Sequence, residues 1–411
     1  MKSFFTIFIF LIMGVSDAQV KNDIWLQNLI RKDASPLLQS VLNQPDTFRY
    51  QIIYTKIERD NKNRPIFKNY YLHVDRAMYF YPASMVKLPV ALASLEKLNT
   101  QNLPVNKFTS MLIDSTRPWQ TAVINDESSA TGLPSVDHYI KKIFLVSDND
   151  AYNRLYQFVG QKQLNEMLRK KGYTQSRITR RFDRSDFEQN RFTNQIRFFD
   201  KGKLIYTQPE AYSDLKFDFS KKILMGNAHY DKDENLVNKP YDFTMHNTMP
   251  LEDMQLMMQS VLFPKSVAKE MRFNLTKEDY RSLYQYMSER PSESHFPKYD
   301  TSEYFDSYTK FFFFRDEKRP IPEYIRSFNK TGWSHGFLTD VCYIVDFRNN
   351  VEFMLSGSIY TNSDGVLNDN KYEYSEVGYP FFREIGEIIY NYELNRKRRK
   401  PDLSEWILRY D

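Results

Sequence analysis

The stretch "FYPASMVKLPVALASL", residues 80–95, sets Ser84 three positions before Lys87 and opens onto an apolar run. "KLPVALASLEKLN" repeats apolar residues at helical spacing, and Pro82 suits a chain about to enter a helix. Residues three apart share a helix face, so both polar side chains are expected to project together from the first turn of a buried helix. The pattern Ser-x-x-Lys also occurs at Ser94, Ser213, Ser266, Ser307 and Ser327. Ser94 falls in mid-helix and the other four lack a strand-to-helix transition before them, which sets Ser84 apart. A hydroxyl is a weak nucleophile until a base removes its proton. A lysine in an apolar setting near a second cation loses basicity and can be that base. The free N–H groups of a helix start can receive a developing oxyanion.

Working outward, "DIWLQNLIRKDASPLLQSVLNQ" reads as a helical region broken near Pro36. "TFRYQIIYTKIER" and "PIFKNYYLHVD" alternate as strands around the polar turn "NKNR", a hairpin signal. Beyond the opening stretch, "SVDHYIKKIFLV", "AYNRLYQFVG" and "QKQLNEMLRKKGY" are helical, the first two separated by "SDND". "TMPLEDMQLMMQSVLFP" and "TKEDYRSLYQYMSE" supply two more helices, and 289–325 reads as irregular. "TDVCYIVDF" and "VEFMLSGSIYTN" return to strands before a closing helix at 378–398. Strands drawn from both ends around a helical middle predict an α+β body: one antiparallel sheet flanked by helices, with a helical lobe. Length alone, 411 residues, would suggest two or three domains. The pattern argues instead for one catalytic unit of two lobes.

The first residues, "MKSFFTIFIFLIMGVSDAQ", have Lys2, an apolar run from Phe4 to Val15 and small residues up to Ala18. This is the layout of a signal peptide over 1–18, which predicts an exported protein, periplasmic or secreted. The apolar run is shorter than the roughly 20 residues a membrane span needs, so no stable membrane insertion is expected after cleavage. Cys342 is the single cysteine, which excludes an internal disulfide, and within "TDVCYIVDF" it reads as a buried strand residue. No His/Asp/Cys cluster has ligand spacing, so neither a metal nor another cofactor is expected. Net charge is +5, with one dense basic run, "NRKRRK" at 395–400, suited to a helix C-terminus. No nucleic-acid recognition motif accompanies it.

Two further motifs occur once each: "SDN" (Ser147, Asp148, Asn149) between two helices, and "KTGWS" (Lys330, Thr331, Gly332, Trp333, Ser334), read as opening a strand. Singly they read as a helix cap and a glycine turn. With Ser84-x-x-Lys87, in this order, they match the three-part signature of penicillin-recognising serine enzymes. The chain resembles the class A β-lactamases, with penicillin-binding proteins as close cousins. The resemblance extends through "YPASMVKLPV", "VSDNDAYNRLYQFVGQKQLNEMLRKKGY", "NTMPLEDMQLMMQSVLF" and "NKTGWSHGFLTDVCYIV" and covers most of residues 45–395.

It implies a β-lactamase/DD-peptidase-like fold over 19–398, with long insertions at about 200–245 and 289–325 and a C-terminal tail at 399–411. It further implies Ser84 as acylated nucleophile, Lys87 as base or proton relay, and Ser147 as the group protonating the departing nitrogen. Lys330 would keep the region electropositive and depress the pKa of Lys87. Asn149 would hold Lys87 and a substrate amide, Thr331 a substrate carboxylate, and the N–H groups of Ser84 and Trp333 the oxyanion, with Gly332 and Ser334 beside the substrate. The loop that carries a deacylating glutamate in the family pattern Asp-Arg-x-Glu-x-x-Leu-Asn reads "DRSDFEQN" here. Asp186 takes the glutamate position and Asn190 the asparagine position, with Glu188 as substitute. An ion pair with Arg180, Arg181 or Arg184 is the alternative role for these carboxylates. The strand arginine that holds the drug carboxylate in the family has no counterpart before Arg348. His246 and His335 fall near site segments and read as structural.

The expected activity is a serine acyl hydrolase that opens β-lactams. The alternatives are a D-alanyl-D-alanine carboxypeptidase or endopeptidase acting on peptidoglycan, and a penicillin-binding protein that traps the acyl group without turnover. The expected partner is thus a small-molecule β-lactam or D-alanyl peptide.

Overall fold

A computed structural model describes residues 20–410. The signal peptide expected over 1–18 lies outside the described residues. Apart from a single turn at Pro45–Phe48, the α-helices among the described residues are α1 (Ile24–Asp33), α2 (Pro36–Leu42), α3 (Lys87–Thr100), α4 (Val136–Leu145), α5 (Asn149–Val159), α6 (Gln161–Lys170), α7 (Leu251–Leu262), α8 (Lys277–Ser288) and α9 (Tyr379–Asn395). The strands that matter for the site are β1 (Gln51–Arg59), β2 (Pro65–Leu72), β3 (Ser110–Ile113), β4 (Ile196–Asp200), β5 (Lys203–Gln208), β6 (Ile325–Ser334), β7 (Phe337–Asp346) and β8 (Val351–Tyr360).

Local chemistry accounts for the helix starts. The Ser35 side chain caps α2 with Pro36 at its first position, Ser135 caps α4, and Asp148 caps α5 by accepting the Ala151 N–H. Thr276 and Asp279 form a reciprocal capping box on α8.

The main sheet has the order β6-β7-β8-β1-β2, antiparallel throughout. Alternate residues feed opposite faces. Ile53, Val341, Tyr343 and Val345 join a large core with α3–α8. Ile52, Tyr54, Cys342 and Ile344 join a second core under α1, α2 and α9. With both faces covered, β7 and β8 are buried along their whole length. This is the α+β architecture expected, with β1 and β2 from the front of the chain paired to β6–β8 from its end.

Three features differ from the sequence reading or were not anticipated by it. "KTGWS" closes β6 rather than opening a strand, because the hairpin turn falls at His335 and Gly336, both with positive φ. Residues 289–325 carry only short turns, yet Phe311–Phe314 are buried in the second core. In the stretch read as a tail, Trp406 is 1% exposed and packs on Phe263, Tyr343 and Phe328.

Candidate active site

Ser84 stands on a single 3-10 turn, Ala83–Val86, which runs directly into α3 at Lys87. Ala83 takes a left-handed conformation (φ 44°) directly after Pro82, and this bend sets the chain into the turn that leads to the helix. The turn is pressed against the edge strand β6. A Cβ on Gly332 would lie 2.5 Å from the Pro82 carbonyl oxygen and 3.0 Å from the Ser84 nitrogen. Only glycine allows so close an approach of the two backbones.

The "SDN" element is the loop between α4 and α5. Asp148 is consumed as the α5 cap, which leaves Ser147 and Asn149 free to meet the two lysines. Lys87 Nζ donates to the Ser147 carbonyl, to Ser147 Oγ at 3.2 Å and to Asn149 Oδ1 at 2.7 Å. Lys330 Nζ donates to Ser147 Oγ at 2.9 Å and to the Thr331 carbonyl at 2.8 Å. One hydroxyl therefore joins residues 87, 147 and 330 from three separate elements. Ser147 itself has φ 61°, a left-handed backbone unusual for a non-glycine residue.

Burial and mutual repulsion set the charge state of the two amines. Lys87 is fully buried, and desolvation, followed by the Lys330 charge, pulls its pKa well below the usual lysine value, with Asp148 opposing. Lys330 is lowered to about 7, first by desolvation and then by Lys310, with Asp340 opposing. An amine whose basicity is lowered in this way is suited to general-base catalysis.

Ser84, Ser147 and Asn149, with Trp333 and Ser334, line a cavity of about 670 Å³, and the two buried lysines reach it through Ser147 and Asn149. Tyr81, Phe182, Tyr304 and Tyr308 give it aromatic walls. Its carboxylates are already engaged: Asp148 with Lys142, Asp150 with Arg154 and Asp183 with Arg181. Arg180, also in the lining, has no carboxylate partner among the described residues and reaches the His246 ring at 3.1 Å. His246 and His335 are held neutral, with pKa values near 3 and 4, because burial disfavours their charged forms and Arg180 adds to the effect.

Several expected site residues lie elsewhere. The Asp186 carboxylate accepts the Gln189 N–H at 2.7 Å within its own loop and does not line the cavity. Asn190 is buried as a strut, donating to the Ser185 and Asp186 carbonyls and accepting the Arg181 N–H. Glu188 bonds Tyr212 and Arg191 at the surface. Instead of a loop carboxylate, Lys87 faces the Phe182 ring, 5.4 Å from its centroid. Thr331 is fully buried, and its hydroxyl has no hydrogen-bond partner among the described residues. Arg348 covers the Tyr324 ring beside the β7–β8 turn. Of the residues that sequence reasoning missed, Arg180 was visible only as an ion-pair partner for the loop. Tyr304 and Tyr308 sat within a stretch read as irregular, with no signal to single them out.

The model of the Beta-lactamase enzyme family matches residues 39–217, which include Ser84, Lys87 and Ser147. The resemblance read from the motifs is thus met by a family match over the front of the chain. No curated protein matches it significantly. Among solved structures, a β-lactamase from Chitinophaga pinensis is 10% identical, with TM-score 0.49, over 89% of this chain and 99% of that one. A β-lactamase from Xanthomonas campestris is 13% identical, with TM-score 0.48, over 89% and 98%. A PBP-A variant in acyl-enzyme complex with penicillin G is 13% identical, with TM-score 0.48, over 89% and 97%.

Proposed function

We propose that this protein is a serine acyl-transfer enzyme of the penicillin-recognising kind, acting outside the cytoplasm on β-lactams or D-alanyl peptides through an acyl-enzyme at Ser84. One observation carries the reading: Lys87 and Lys330 both hydrogen-bond Ser147 Oγ at the floor of the cavity that Ser84 lines. Neutral Lys87 takes the proton from Ser84 Oγ as that oxygen attacks the lactam or peptide carbonyl. The negative charge that develops is received by backbone N–H groups at Ser84 and Trp333. Ser147 Oγ passes a proton to the departing nitrogen and is resupplied by the amines bonded to it. The C–N bond breaks and the acyl group remains on Ser84.

Hydrolysis of that ester needs a base to activate water, and the geometry favours a slow release. Phe182 rather than a carboxylate stands over Lys87, and Asp186 is turned into its own loop. An acyl-enzyme that persists supports the penicillin-binding and D-alanyl peptidase readings over rapid β-lactam hydrolysis. Asp183 is the one carboxylate of that loop in the cavity lining, and it favours the turnover reading if it exchanges Arg181 for water. Intact-mass measurement after mixing with penicillin separates these. A single adduct on the peptide that carries Ser84, decaying over many minutes, is the expected result. A rapid turnover with no accumulating adduct moves the assignment to a β-lactamase, and no adduct with no turnover overturns the proposal.

A further inference from the structure

Away from this cavity, the β1–β2 turn, the α7–α8 junction and the C-terminal segment enclose an open groove of about 1180 Å³ that shares no lining residue with the active site. Its rim carries Lys62, Lys265, Lys277, Arg281 and Arg409, all exposed and none in an ion pair among the described residues. The other charges there are engaged: Arg59 with Glu352, and Arg64 with Asp60. Glu405 is the single unpaired carboxylate of the lining.

The basic run at 395–400 belongs to the same face. Arg396 and Arg398 turn inward onto Glu393, which frees Lys397, Arg399 and Lys400 to face solvent. The run lies along the β1–β2 turn: Arg399 donates to Asn61 Oδ1, and Asn63 exchanges hydrogen bonds with the Asp402 backbone at 2.9 and 3.1 Å. Eight exposed cations thus gather on this face: Lys62, Lys265, Lys277, Arg281, Lys397, Arg399, Lys400 and Arg409. Among these cations stand two bare aliphatic side chains, Ile66 at 55% and Ile407 at 68% exposure.

Cations interspersed with exposed aliphatics suit an interface with acidic headgroups outside and hydrocarbon just beneath. A soluble polyanion would use the cations and leave the isoleucines in water. We infer that this face docks the protein on an anionic lipid surface, the groove receiving headgroups and Ile66 and Ile407 entering the interfacial layer. The protein would then work alongside a membrane; among the described residues no helix is long and apolar enough to cross one.

Sedimentation of the full chain with lipid vesicles tests this. Vesicles of phosphatidylcholine with phosphatidylglycerol should carry the protein down and pure phosphatidylcholine should not. Each cation removed should weaken partition about five-fold, so the triple variant Lys397→Glu, Arg399→Glu, Lys400→Glu should weaken it more than about a hundred-fold. Ile407→Ser should weaken it several-fold at unchanged charge, and salt that shortens the Debye length to about 3 Å should release the protein. All four positions are at the surface, and unchanged circular dichroism of the variants secures that they are folded. No sedimentation with acidic vesicles at low salt overturns the proposal. So does competition by soluble polyglutamate together with indifference to Ile407→Ser, which would identify an acidic polymer as the partner.

Discussion

No covalent adduct is expected on a Ser84→Ala variant exposed to penicillin, and a Lys87→Met variant should acylate about a hundred to ten thousand times more slowly than the unaltered chain. The two variants separate nucleophile from base. The first removes the atom that bonds to the acyl group; the second leaves it but removes the amine that takes its proton. Stopped-flow acylation across pH adds a check that a structural role would not meet. Desolvation and then Lys330 lower the Lys87 pKa, so acylation should rise as pH climbs through that depressed value and Lys87 becomes neutral. It should fall again near pH 7 as Lys330 gives up its charge. Lys330→Met should move the rising limb to higher pH, because the cation that disfavours protonated Lys87 is gone. An adduct on Ser84→Ala, or a rising limb that stays put in Lys330→Met, would contradict the assignment.

Asp340→Leu should destabilise the fold by about 3–5 kcal/mol, the cost of breaking a buried charge network from one side. Asp340 is 1% exposed and accepts the Phe311 and Phe312 N–H groups and Asn329 Nδ2, the last at 2.9 Å. Asn329 in turn accepts Lys310 Nζ at 2.5 Å and donates to the Thr309 carbonyl. Removing the carboxylate leaves those donors without an acceptor and Lys310 without a compensating charge in the core. The double variant with Lys310→Met should recover part of the loss, which a denaturant titration of all four combinations would measure. The same network fastens residues 309–312 to the strand that carries Lys330, and so fixes the Tyr304 and Tyr308 wall of the cavity. Acylation should therefore suffer along with stability.

The backbone of the site was readable because its parts carry strong local signals. Ser84-x-x-Lys87 before an apolar helix, "SDN" between two helices and "KTG" beside a strand each survive as spacing in the chain. The hairpin of β1 and β2 and the three helices α4–α6 follow from periodicity. What escaped depends on contacts between distant residues. β3 pairs with β4 across more than eighty residues, Met111 with Phe198 for example, and a four-residue strand leaves almost no pattern of its own. The loop at 183–190 kept the outline of a family pattern, yet Asp186 is turned away because Gln189 offers it a nearer hydrogen bond. Trp406, in the stretch read as a C-terminal tail, is surrounded by four aromatic side chains from distant parts of the chain, which no local pattern announces.

The left-handed backbone at Ser147 is a conformation that a serine adopts at a cost of about 1–2 kcal/mol. Its carbonyl and hydroxyl are held there by the amines of Lys87 and Lys330, arriving from a helix and from a sheet edge. The elbow therefore keeps its shape only while both tethers are attached, and neither can be cut without slackening what the other still grips. Supplying a small soluble amine to a variant that lacks one lysine would restore a basic nitrogen but not an anchor, so chemical rescue should remain incomplete even at saturation.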